Sequence, residues 1–133
     1  MLTENEVVLF MCDWLKTRDY TIKSYKLNTS PGHDIEAVSL AGRTICIECK
    51  GAKSPRSGKA FDLDYQWRAA AGALFNAVVL KEKKKSSIDV AIALPKIARY
   101  SEFMESLKEF CKREEIKVYW VSSQDTINEW QDA

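Results

Sequence analysis

The stretch IDVAIAL (88–94) constrains the fold more than any other segment, because its apolar residues do not alternate with polar ones. A strand of this kind is buried on both faces, so its sheet needs a covering layer on each side. Helical segments are available to supply those layers. Thr3 followed by Glu6 is a capping-box pattern, and Val7, Val8, Met11, Trp14 and Leu15 recur at helical spacing, predicting a helix from about 3 to 17. Asp62 is suited to N-cap a second helix reaching about Leu80, whose AAAGA run favours close packing on a sheet. Residues 97–113 read as a third, amphipathic helix carried by Ile97, Tyr100, Phe103, Met104, Leu107 and Phe110.

Four more segments read as strands: YTIKSYKL (20–27), HDIEAVSL (33–40), RTICIECK (43–50) and IKVYWVS (116–122). NTSPG (28–32) is a loop by its turn residues, Ala41-Gly42 joins two strands as a tight hairpin, and Pro95 stops the apolar strand. The tail is expected to carry a short helix with Ile127 and Trp130. The first three strands suit an antiparallel meander, and each later strand follows a helix, which implies right-handed parallel crossovers. The expectation is an α/β domain over 1–133, of order αβββαβ plus a further helix and strand, with a five-stranded mixed sheet flanked by helices.

At 133 residues the chain is long enough for one well-filled core, and 46% hydrophobic with 29% charged residues is ordinary for a soluble globular domain. The longest apolar run, VVLFMCDWL, is interrupted by Asp13 and too short to span a bilayer, so no membrane partner is expected. Cys46 and Cys49 resemble a C-x-x-C motif, but three residues apart on a strand they point to opposite faces. Buried free thiols at 12, 46, 49 and 111 suggest a reducing, cytoplasmic setting and disfavour thiol redox chemistry.

Within RTICIECK, Glu48 and Lys50 share one face while Ile45, Ile47 and Cys49 point into a core. Charge on an otherwise core-like strand is costly unless partnered, which favours a functional reading over a solvated salt bridge. Asp34 lies on the neighbouring strand. A two-residue turn at Ala41-Gly42 would place residue 35 opposite 48, leaving Asp34 one position out of line and requiring a slight bulge or slip. Paired carboxylates on adjacent strands make a hard, oxygen-rich site for Mg²⁺ or Mn²⁺, with the Cys49 carbonyl as a third protein ligand. Such an ion polarises a phosphate and acidifies a bound water, and Lys50 would steady the charge that develops.

GHDIEA followed by CIECKGA resembles the PD-(D/E)xK, or restriction-endonuclease-like, nucleases, and the likeness covers roughly residues 3–95. The resemblance implies metal binding at Asp34 and Glu48 and a catalytic Lys50. His33 stands where many members have proline, a variable position in the family. Gln66 matches a glutamine that many members carry on the following helix to orient the nucleophilic water. Resolvase-like members also place a glutamate on the first helix; Glu6 is the nearest candidate and Glu4 the next, although Glu6 also suits the cap. The short form looks most like the Holliday-junction-resolvase and Mrr-like branches.

Lys53, Arg56 and Lys59 form a flexible basic loop beside the acids and suit a phosphate backbone, with His33 as a flanking DNA contact. A net charge of +1 does not argue against this, since a nucleic-acid face needs only local charge. The function implied is metal-dependent hydrolysis of DNA phosphodiesters. RNA substrates and a homodimer with two sites are both compatible with the sequence. The alternative is an inactive nucleic-acid-binding or scaffold subunit of the same fold.

Overall fold

The structure, a computed structural model, describes residues 1–28 and 33–130. The chain runs α1 (Glu4–Thr17), β1 (Thr21–Tyr25), β2 (Ile35–Val38), β3 (Thr44–Cys49), α2 (Leu63–Lys84), β4 (Asp89–Pro95), α3 (Ala98–Glu105), α4 (Lys108–Arg113), β5 (Ile116–Ser123) and β6 (Thr126–Glu129). All six strands form one mixed sheet in the order β1-β2-β3-β4-β5-β6. β3, β4 and β5 are mutually parallel, and the remaining pairs are antiparallel.

β4 is interior to this sheet and covered on both faces, as its apolar composition requires. Ala91 and Ala93 face a core built with Val7, Val8, Met11 and Leu15 of α1. Val90, Ile92 and Leu94 face the opposite core, with Ala70, Ala73 and Ala77 of α2 and Tyr100 and Met104 of α3. Three alanines at helical spacing give α2 a low-relief face, which lets it lie close to the sheet. The Thr3–Glu6 capping box is present in full and fixes where α1 begins. At α2 the Asp62 carboxylate accepts the Tyr65 N–H at 2.8 Å.

Three expectations need correction. The sheet has six strands, because residues 126–129 pair with β5 and form no helix. Ile127 and Trp130 stand three apart, a spacing that suits a helix, but each face of the sheet here offers a core: Ile127 enters the α1 side and Trp130 packs on the other. The helix expected over 97–113 is two helices, broken where the Ser106 hydroxyl donates to the Phe103 carbonyl at 2.8 Å. The β2–β3 turn is also longer than two residues. Ser39 N–H donates to the Arg43 carbonyl (2.8 Å) and Gly42 N–H to the Ser39 carbonyl (2.9 Å). With Gly42 at φ +86°, this is a three-residue loop closing on a left-handed glycine.

Candidate functional site

That extra loop residue brings the acids into line. The register pairs Val38 with Thr44 and Ile35 with Ile47, one residue off what a two-residue turn would give, so Asp34 stands just before β2 beside the Ile47–Cys49 end of β3. At Asp34 itself the ladder is irregular, because its carbonyl accepts the Lys26 N–H just beyond β1 while its N–H turns the other way, to β3. The Asp34 N–H donates to the Ile47 carbonyl at 3.1 Å, and its carboxylate Oδ2 accepts the Cys49 N–H at 2.7 Å. Asp34 is thereby anchored to the end of β3, between the positions of Glu48 and Lys50.

Of the two glutamates at the start of α1, Glu4 is the one that feels the charges of Asp34 and Glu48. Glu6 is spent on the cap: its Oε1 accepts the Thr3 N–H at 2.9 Å and the Thr3 hydroxyl at 3.1 Å. Successive helical residues are about 100° apart, so a cap that turns Glu6 back onto Thr3 leaves Glu4 on a different side. Burial and the negative charges of Asp34 and Glu48 push the Glu4 carboxyl up to about 7, against the relief given by Lys50. Glu4, Asp34, Glu48 and Lys50 therefore act on one another at the carboxyl end of β3.

Gly51 makes this convergence possible. A Cβ at Gly51 would collide with the Glu4 amide nitrogen and lie 2.6 Å from the Thr3 carbonyl carbon. The Ala52 N–H donates to the Leu2 carbonyl at 2.8 Å, and the buried Tyr100 hydroxyl donates to the Gly51 carbonyl at 2.8 Å. The start of α1 thus crosses directly over the residues that follow Lys50.

Burial raises the Asp34 carboxyl, opposed by the Cys49 N–H and by Lys50. Burial likewise raises Glu48, opposed first by the Asn76 amide, which donates to Oε2 at 3.0 Å. Three hard-oxygen acids, each held above its ordinary range by burial, are suited to a divalent cation, which would relieve their crowding. Asp34, Glu48 and Glu4 are the residues that could hold it. The Cys49 residue lies among them, tied by its N–H to Asp34.

Other expected residues are placed differently. Gln66 is buried, but its amide nitrogen donates to the Phe61 carbonyl at 3.0 Å and fastens the preceding loop to α2. His33 turns to Glu36, with Nε2 3.1 Å from Oε1. The basic segment folds back on itself as a hairpin: Ser54 N–H donates to Lys59 O (2.9 Å) and Gly58 N–H to Ser54 O (3.0 Å). Arg56 and Lys59 are exposed on it and Lys53 is partly so. Cys46 and Cys49 do face opposite sides of β3, and burial raises both thiols, Cys46 to about 11. Protonated, separated thiols do not make a redox pair.

Asn76 lies on α2 well beyond Gln66 and carries no motif that marks it in the sequence. Sequence position alone ranks Glu6 ahead of Glu4. The capping box is the signal that reverses that order.

The architecture, a six-stranded mixed sheet with helices on both faces, is consistent with a restriction-endonuclease-like fold. No protein-family model and no curated protein matches the sequence. Among solved structures, the chain is similar to an XisH family protein from Nostoc punctiforme PCC 73102, with TM-score 0.58 and 20% identity over 97% of this chain and 98% of that one. It is also similar to a fdxN element excision controlling factor protein from Anabaena variabilis, with TM-score 0.59 and 21% identity over 97% and 98% of the two chains. At identities this low the likeness shows a shared fold and nothing of activity. No described helix is long and apolar enough to cross a membrane.

Proposed function

We propose that the protein is a metal-dependent endonuclease that hydrolyses DNA phosphodiesters. The observation that carries this reading is the gathering of acids at one end of the sheet: Asp34 is bound to the Cys49 N–H beside Glu48, and the start of α1, with Glu4, crosses over Gly51 just after Lys50. Asp34, Glu48 and Glu4 would hold Mg²⁺ or Mn²⁺, and the Cys49 carbonyl would be a further ligand. When bound, the ion supplies Lewis acidity at the phosphate and a water acidified toward neutral pH. Lys50 holds positive charge beside the acids, where it offsets charge accumulating on the phosphate oxygens. Asn76 fixes the Glu48 carboxylate, and Tyr100 fixes the peptide after Lys50. Lys53, Arg56 and Lys59 would grip the backbone without reading sequence.

A second reading is a DNA-excision control or scaffold subunit that performs no chemistry. It is supported by the description of one structural neighbour as an excision controlling factor.

The two readings separate in a cleavage assay on linear, branched and single-stranded DNA and on RNA, with Mg²⁺, Mn²⁺ or chelator. Metal-dependent cutting abolished in folded Glu48→Ala and Lys50→Ala is the expected result. Full activity in either variant would refute the assignment, and binding without cutting on every substrate would favour the second reading. Size measurement on the DNA complex tests whether a homodimer brings two sites to one duplex.

A further inference from the structure

Beside the carboxylate site, α2 and the β2–β3 hairpin flank a cleft of about 310 Å³. His33, Cys46, Glu48, Asn76 and Lys83 contribute to its walls. Glu36 and Cys46 are directly paired across the two strands, and His33, just before β2, lines the same cleft as Cys46. One donor atom from each of His33, Glu36 and Cys46 lies within 4.8 Å of the others. The His33 Nε2 and Glu36 Oε1 atoms are already 3.1 Å apart.

We propose that His33, Glu36 and Cys46 form a second cation site, for a borderline-soft divalent ion such as Zn²⁺, distinct in chemistry from the all-oxygen site. Tetrahedral zinc with ordinary bond lengths separates its ligand atoms by about 3.3–3.6 Å. The three donors, already within 4.8 Å of one another, have about an ångström or less to close on binding. Imidazole, carboxylate and thiolate together select Zn²⁺ over Mg²⁺, whereas Asp34, Glu48 and Glu4 offer oxygen only. On binding, the Cys46 Sγ–H bond breaks and its proton leaves to solvent as Sγ bonds the ion. Glu36 enters as the carboxylate, and His33 as neutral imidazole through Nε2, replacing the hydrogen bond between them. Three protein ligands leave a fourth position, which the cleft can serve with water or a small anion.

Co²⁺ titrated into the chelator-stripped full-length protein tests the site without reference to nuclease activity. One equivalent is expected to produce a thiolate-to-cobalt charge-transfer band in the near ultraviolet, and Zn²⁺ is expected to bleach it. The band should vanish in Cys46→Ser and persist in Cys111→Ser and in Asp34→Asn. His33→Gln, at a position outside the strands, should keep its fold by circular dichroism and lose at least tenfold in Zn²⁺ affinity. No band in the wild type, a band retained in Cys46→Ser, or unchanged Zn²⁺ affinity in folded His33→Gln would overturn the proposal.

Discussion

Replacing Glu4 by glutamine should make the metal-free protein more stable while weakening its hold on metal. Burial, Asp34 and Glu48 raise the Glu4 carboxyl from 4.5 to about 7 in the folded chain. An acid raised in this way binds its proton more tightly when folded than when unfolded. Its stabilising contribution is therefore fully present below 4.5 and is lost as pH rises through about 7. A shift of that size corresponds to about 3 kcal/mol at most. Glu4 is only partly buried, and solvent screening reduces the figure to about 1–2 kcal/mol. Glutamine keeps the shape and removes the charge. In chelator at about pH 8, Glu4→Gln should melt about 4–7 °C above the wild type. The gap should close as the pH falls toward the unfolded value. Mn²⁺ should then raise the wild-type melting temperature more than that of the variant. Differential scanning calorimetry with and without Mn²⁺ makes the comparison. A variant less stable at alkaline pH, or a gap independent of pH, would refute the claim that Glu4 sits among the acids.

Three further perturbations bear on the same frame. Gly51→Ala drives a methyl into the Thr3–Glu4 backbone and should destabilise by about 3 kcal/mol in denaturant titration, with weaker metal binding. Tyr100→Phe leaves the Gly51 carbonyl without its buried donor and should cost about 1–3 kcal/mol, with no direct effect on metal affinity in calorimetry. Replacing Lys53, Arg56 and Lys59 together by alanine should weaken DNA binding on any sequence and flatten the slope of log affinity against log salt by about 2–3. An unchanged slope would remove that hairpin from the DNA-facing surface.

Period-two alternation is enough to put Cys46 and Cys49 on opposite faces of β3, because strand geometry leaves no other arrangement. The apolar run of β4 announced two covering layers for the same reason. Register was harder to read. Counting Ala41-Gly42 as a two-residue turn shifted the strands by one, since nothing in Leu40-Ala41-Gly42 alone shows that Gly42 takes φ +86° and closes a longer loop. Ile127 and Trp130 fit a helix by spacing and a strand by their surroundings, and only the two cores decide. Gln66 followed the expected helix position, yet the Phe61 carbonyl claims its amide nitrogen. Asn76 reaches Glu48 only because α2 lies low on the sheet, a tertiary consequence of its alanine face.

The crossing of Gly51 under the start of α1 also sets where this chain tolerates added length. Between Lys50 and Ala52 there is no slack: one extra residue would break the Ala52–Leu2 bond and carry Glu4 away from Asp34. A few residues further on, the turn at Arg56–Gly58 is exposed, and Gly58 has open space around it. Lengthening a loop costs only about 0.6 kcal/mol per doubling when its ends stay paired. Ser54 and Lys59 keep those ends together. Grafting longer or differently charged segments at that tip would vary what the surface grips while leaving the acids in place. The hairpin is thus a natural port for redesign, bolted to a site that admits no insertion.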